Sequence, residues 1–182
     1  MSIPVIFAHG LSGSPDGKKA LLLKENFGAT VPSLQSLELP AQAQVLAAAM
    51  PATRKSILVG SSLGALAVLG ASHLRPDDVG AMVLLAPAFD LERHRHTFED
   101  ALRIRPGLMT DAPVYAALMP PGGTLCHVVQ GMADELFTID KAIAFVQRVP
   151  AATLTLVHDN HQLEMWYTNL VPLIGQIQKQ LT

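Results

Sequence analysis

The chain has 182 residues, 49% hydrophobic and 15% charged, with a formal net charge of −2. This is long enough for one domain with a sizeable core and too apolar for a disordered chain, and its charge is too balanced for a nucleic-acid or anionic-membrane partner. Cys126 is the only cysteine, which excludes an intramolecular disulfide; the start, MSIPVIFAHG, has no secretion-signal pattern, and no window approaches a membrane span, so the expectation is a soluble, cytoplasmic protein acting on a small molecule or a protein partner.

Short β-type runs alternate with longer helical ones, the pattern of a mostly parallel sheet with helices on both faces. Ile3–Ala8 reads as the first strand, and Ser14-Pro15-Asp16 opens a helix carrying Ala20 to Leu23. Ala29–Pro32 is a weak, edge-like second strand, and Pro40 opens an Ala-rich helix to about Met50. Ser56–Val59 is a third strand, followed by a helix from Leu63 to about Leu74, and Gly80–Leu85 is a fourth strand ended by Pro87. Leu125–Gln130 and Thr153–Val157 complete a sheet of about six strands, with helices at Lys141–Arg148 and Trp166–Gln180 after them. Residues 90–122 interrupt the alternation with helical pieces but no strand, as a cap or a short helical insert would.

The corner between the third strand and its helix reads Gly60-Ser61-Ser62-Leu63-Gly64, a G-x-S-x-G pattern with Ser62 at its centre. A sharp strand-to-helix turn lifts such a serine above the sheet, and the flanking glycines avoid collision with neighbouring elements. The alternative is a serine that merely caps the helix. A nucleophilic serine requires a base, an acid that orients it, and donors for an oxyanion. The first strand ends in Phe7-Ala8-His9-Gly10-Leu11, so the donors expected are the backbone N–H groups of Leu11 and Leu63, with His9 a packing or hydrogen-bonding residue. Asp134, in QGMADELF just past the fifth strand, is the favoured acid; Asp90, past the fourth, is its rival, and Glu135 reads as a solvated neighbour. In VHDNHQL, His161 lies on the loop and is favoured as base over His158, which continues the strand; Asp159 and Asn160 suit a turn.

The nucleophile, acid and base follow three separate strands, at what would be one edge of a parallel sheet, where ligands bind. With FAHGLSGSPDG, VGSSLGA, QGMADELF and HDNHQL in this order, the chain resembles the α/β-hydrolase family over nearly its whole length, and within it the small, minimal-lid bacterial esterases. The resemblance implies a single α/β-hydrolase domain over residues 1–182, with Ser62, Asp134 and His161 as the triad and the amides of Leu11 and Leu63 as the oxyanion hole. Two departures stand out. The antiparallel strands usual at the start of the family are lacking, which implies a trimmed sheet, and Ser61 stands where many members carry a larger residue.

Such a site needs neither metal nor organic cofactor, and small esters or thioesters suit it. The insert's apolar residues, from Leu102 to Met119, would line an acyl pocket or pack on the sheet. Arg93-His94-Arg95-His96 reads as a solvated basic face rather than an anion or metal site. Two other functions stay open: a binding protein that turns nothing over, and transfer of the acyl group to an acceptor other than water.

Overall fold

The computed structural model describes residues 2–91, 93 and 111–182. Its strands are β1 (Val5–Ala8), β2 (Ser56–Ser61), β3 (Val79–Leu85), β4 (Leu125–Gly131) and β5 (Ala152–Val157). The described helices are α1 (Lys18–Phe27), α2 (Leu39–Ala49), α3 (Leu63–Leu74), α4 (Ala112–Ala117), α5 (Ile139–Arg148) and α6 (Leu170–Leu181), with single 3₁₀ turns at Pro76–Asp78 and Tyr167–Asn169. All strand pairs are parallel, and the five strands lie in chain order from β1 to β5.

Why the inner strands read as unbroken apolar runs follows from burial on both faces. Along β1, Ile6 and Ala8 face a core built with Leu46 of α2, Leu66 and Leu69 of α3 and Phe145 of α5. Val5 and Phe7 face the opposite core, with Ala20 and Leu23 of α1 and Ile174 and Ile177 of α6. In α3 every residue from Leu63 to Ser72 is buried, which explains a helix with no polar stripe. β5 is one edge of the sheet, and its exposed Thr153 and Thr155 are the polar half of its alternation.

The strand expected at Ala29–Pro32 shrinks to one bridge. Thr30 pairs with Ile6, donating its N–H to Val5 O and accepting from Phe7 N–H, both at 2.9 Å. Pro32, with no N–H to give, stops the ladder two residues later. The helix expected from Trp166 begins with the 3₁₀ turn and becomes α-helical only at Leu170. Much of the 90–122 insert lies outside the described residues, including the stretch from Leu102 to Met109 and His94 to His96. Of its described part, the Tyr115 ring occupies the space a side chain on Gly70 of α3 would need, and His73 hydrogen-bonds Met119 O at 2.7 Å, so α4 is pinned to α3.

What positions the corner at Ser62 is close contact between backbones. A Cβ on Gly64 would overlap the carbonyl oxygen of Ala8, and one on Gly60 would fall 2.5 Å from Gly64 O. The start of α3 therefore rests directly on the ends of β1 and β2. Gly64→Ala must push these elements apart and is expected to cost about 3 kcal/mol. Thermal unfolding should show a Tm lower by about 10 °C, whereas Gly122→Ala, with open space around it, should leave Tm nearly unchanged. Equal Tm values for the two variants would contradict this packing.

Candidate active site

At the end of β2 the chain turns into α3 through Ser62, whose φ of 56° and ψ of −118° are strained for a residue with a side chain. Backbone hydrogen bonds hold it there. Its N–H donates to Leu85 O at 2.9 Å, and its carbonyl accepts from Ala65 N at 3.0 Å and Ala88 N at 3.3 Å. The loop after β1 runs alongside, close enough that a Cβ on Gly10 would lie 3.1 Å from Ser62 Cβ.

Three of the residues singled out in the sequence meet at this corner. Ser62 Oγ lies 3.0 Å from His161 Nε2, and His161 Nδ1 lies 2.9 Å from Asp134 Oδ2. A carboxylate only accepts, so Nδ1 carries the hydrogen and the Nε2 lone pair faces the serine hydroxyl. The two side chains are buried, at 5% exposure for His161 and 1% for Asp134. Oδ1 of Asp134 accepts the N–H groups of Leu136 and Phe137, both at 2.9 Å, while Oδ2 also accepts from Gln130 Nε2 at 2.7 Å. Burial pushes the Asp134 carboxyl up. The hydrogen bond and charge of His161 and the Phe137 and Leu136 amides outweigh it, holding the group below the ordinary carboxylate range.

Asp90 does not reach this corner; it pairs with Lys141 of α5 at 3.5 Å. His158 is exposed, beyond the end of β5. Glu135 is exposed, as a solvated neighbour would be, and also accepts the backbone N–H of His161 at 3.2 Å. The Phe137 ring meets the imidazole edge-on, with centroids 5.2 Å apart.

In the sequence Asp159 suits a turn. The structure shows the buried carboxylate accepting N–H groups from Asn160 at 2.8 Å, Met165 at 2.9 Å and Trp166 at 2.8 Å, which folds the loop around His161. Gly131 lets β4 pass beneath this loop, since a Cβ there would lie 2.5 Å from Asp159 O. The signal was available in part: an aspartate before an Asn-His turn is a common capper of nearby amides.

His9 is a hydrogen-bonding residue at the end of β1, one of the two roles its place in the sequence suggests. Leu34 N–H can only donate to His9 Nε2, at 3.2 Å, so Nδ1 carries the hydrogen and donates to Gly10 O at 2.9 Å. Gly10 O accepts from Gly13 N–H as well, at 3.0 Å. In a trans peptide the carbonyl and the following N–H point in opposite directions, so two bonds on Gly10 O fix the direction of Leu11 N–H. Leu11 and Leu63 both border a cavity of about 380 Å³ that reaches Ser62 and His161. Its apolar wall includes Leu91, Leu136 and Phe137, and its polar wall Lys19 and Glu164. Among the described residues no group of His, Cys, Asp and Glu is arranged for a metal ion, and no helix is long and apolar enough to cross a membrane.

A parallel sheet with helices on both faces and a serine at a strained strand-to-helix turn defines the α/β-hydrolase class. A family model described as serine hydrolase matches residues 5–167, and the chain belongs to that family. Solved structures share the fold. Alpha/beta hydrolase domain-containing protein 10 from mouse superimposes with a TM-score of 0.80 at 19% identity, over 98% of this chain and 90% of that one. A putative α/β-superfamily hydrolase from Xanthomonas campestris pv. campestris gives 0.71 at 22% identity, over 98% and 99%. A monoacylglycerol lipase from Paleococcus ferrophilus gives 0.73 at 15% identity, over 98% and 95%. No curated protein matches the sequence.

Asp159 is expected to make the loop around His161 sensitive to acid. Burial raises its carboxyl, but the Trp166, Asn160, Met165 and Glu164 amides prevail and hold it below the ordinary carboxylate range. A group depressed in this way stabilises the fold above its unfolded value, about pH 4, and that stability is lost as pH falls through the folded value. Asp159→Asn should lower Tm at pH 7 by about 5 °C and flatten the fall in Tm on acidification, followed by circular dichroism. An acid limb as steep as that of the wild type would show that the charge at Asp159 does not hold the loop.

Proposed function

We propose that the protein hydrolyses carboxylic ester or thioester bonds of small acyl substrates through an acyl-enzyme on Ser62. The observation that carries this reading is the unbroken hydrogen-bonded chain from Ser62 through His161 to Asp134, at 3.0 and 2.9 Å. His161 Nε2 takes the Ser62 proton as Oγ attacks the acyl carbonyl, and Asp134 stabilises the imidazolium at Nδ1. The C=O electrons move onto oxygen, where the N–H groups of Leu11 and Leu63 receive the charge. The N-terminus of α3 adds its dipole there.

When the tetrahedral intermediate collapses, the C–O or C–S bond breaks and His161 protonates the departing alcohol or thiol. Water then repeats the sequence on the acyl-serine, releasing the acid and restoring the hydroxyl. The cavity of about 380 Å³ sits at the small end of ligand sites, which favours short acyl groups. Its apolar wall at Leu91, Leu136 and Phe137 suits an acyl chain. No step calls for a cofactor.

A fluorophosphonate probe should label Ser62 alone, read by mass spectrometry of the labelled peptide, and leave Ser62→Ala unmodified. On p-nitrophenyl esters and acyl thioesters of graded length, Asp134→Asn should lose about 10⁴-fold in kcat while keeping its fold. A folded wild-type protein that the probe does not touch, or an Asp134→Asn variant of full activity, would end this reading.

A further inference from the structure

The loop that carries His161 holds a second strained residue. Leu163, fully buried, has a φ of 52°, the left-handed region that favours glycine. Its N–H donates to Asn160 O at 3.1 Å, closing a four-residue turn from Asn160 to Leu163 in which His161 is the second residue. The same peptide unit carries the carbonyl of Gln162. That oxygen accepts from Lys19 Nζ at 2.6 Å, a contact that spans 143 positions in the chain. Both ends of the peptide leading into the strained residue are therefore tied, one within the loop and one to α1.

Lys19 is an unexpected residue for this place. It lies in the first turn of α1, where the helix dipole disfavours a cation, next to a second lysine and with no acidic residue in that turn. Its side chain is half-buried in the wall of the cavity that reaches Ser62. Burial lowers its pKa below the ordinary lysine value, against the opposing attraction of Asp159 and Glu164, which both belong to the His161 loop. Three local costs fall on one side chain, and the compensation comes wholly from the loop that carries the base. A residue that breaks its local rules beside a reaction centre is a candidate for a role there.

We propose that Lys19 is a positioning residue that clamps the strained Asn160–Leu163 turn to α1 and so holds His161 Nε2 against Ser62. This rests on the reading of His161 as the base. Asp159 and Glu135 fix the backbone N–H groups on the near side of the loop, and Lys19 fixes the Gln162 carbonyl on the far side. Without the ammonium that oxygen has no described partner, and the Leu163 N–H bond to Asn160 O is left to hold the Gln162–Leu163 peptide against the strain at Leu163. The imidazole is one residue away from that peptide, and a displacement of about 1 Å is enough to cost catalysis heavily.

Lys19→Met is expected to lower kcat at least tenfold with KM within twofold of wild type, and to leave Tm within a few degrees. Hydrogen–deuterium exchange, read by mass spectrometry on the peptide spanning 159–166, should rise there and not in α1 or the sheet. Lys19→Arg, which keeps a cationic donor, should restore both kcat and protection; Lys19→Gln, a shorter neutral donor, covers the case in which the methionine variant does not fold, and should fall between. Unchanged kcat and unchanged local exchange would overturn the clamp. So would a rise in KM confined to anionic substrates with kcat kept, because Lys19 would then bind substrate rather than the loop. The exchange readout needs no turnover, so it judges the clamp even if Ser62 proves unreactive, and probe labelling of Ser62 in the wild type judges the chemistry separately.

Discussion

The N-terminus of α3 lies against the ends of β1 and β2 with no room for a side chain between them. Only hydrogen atoms fit at Gly60 and Gly64, where a Cβ would strike Gly64 O and Ala8 O respectively. That contact forces the turn at Ser62 to be tight, and tightness gives it a φ of 56°. Strain of about 1–3 kcal/mol at one residue persists only because the surroundings over-determine it. Here the hydrogen bonds to Leu85, Ala65 and Ala88 do so. The same contact lays the loop at Gly10 beside Ser62, so the geometry of Ser62 and of the proposed oxyanion donors share a cause.

A second layer of order is electrostatic. Asp134 is buried and accepts four hydrogen bonds, from His161, Gln130, Leu136 and Phe137, which fills the acceptor capacity of a carboxylate. Saturation keeps it ionised in spite of burial and leaves its oxygens no freedom to turn from the imidazole. The His161 loop repeats the pattern with Asp159, a buried carboxylate satisfied by backbone amides. In both cases a fixed negative charge organises a segment that has no regular secondary structure of its own.

Much of this was legible in the chain. Strands buried on both faces appear as plain apolar runs, so Ser56–Val59, Gly80–Leu85 and Leu125–Gln130 lay within a few residues of β2, β3 and β4. The corner at Ser62 was readable because strand, small residues and helix are adjacent in sequence. Asp134 and His161 could be placed because each follows a strand. Ala29–Pro32 misled because its composition suits a strand, while only Thr30 finds a partner, and partner count is a tertiary property. Glu135, Gln130 and Lys19 gave no comparable signal as supports of the site, and Asp159 only the partial one of an aspartate before a turn. Each acts through a hydrogen bond whose partner is fixed by the folded loops, and for Lys19 that partner is 143 positions away.

The proposed mechanism requires the Leu11 and Leu63 amides, the Ser62 oxygen and the His161 imidazole to converge on one reacting carbon. A crystal structure of the protein after reaction with a small alkyl phosphonate tests it most directly. Phosphorus is expected on Ser62 Oγ, with one phosphonyl oxygen within about 3 Å of both amide nitrogens and His161 Nε2 beside the position of the leaving group. An adduct on another residue, or a phosphonyl oxygen turned away from both amides, would contradict it.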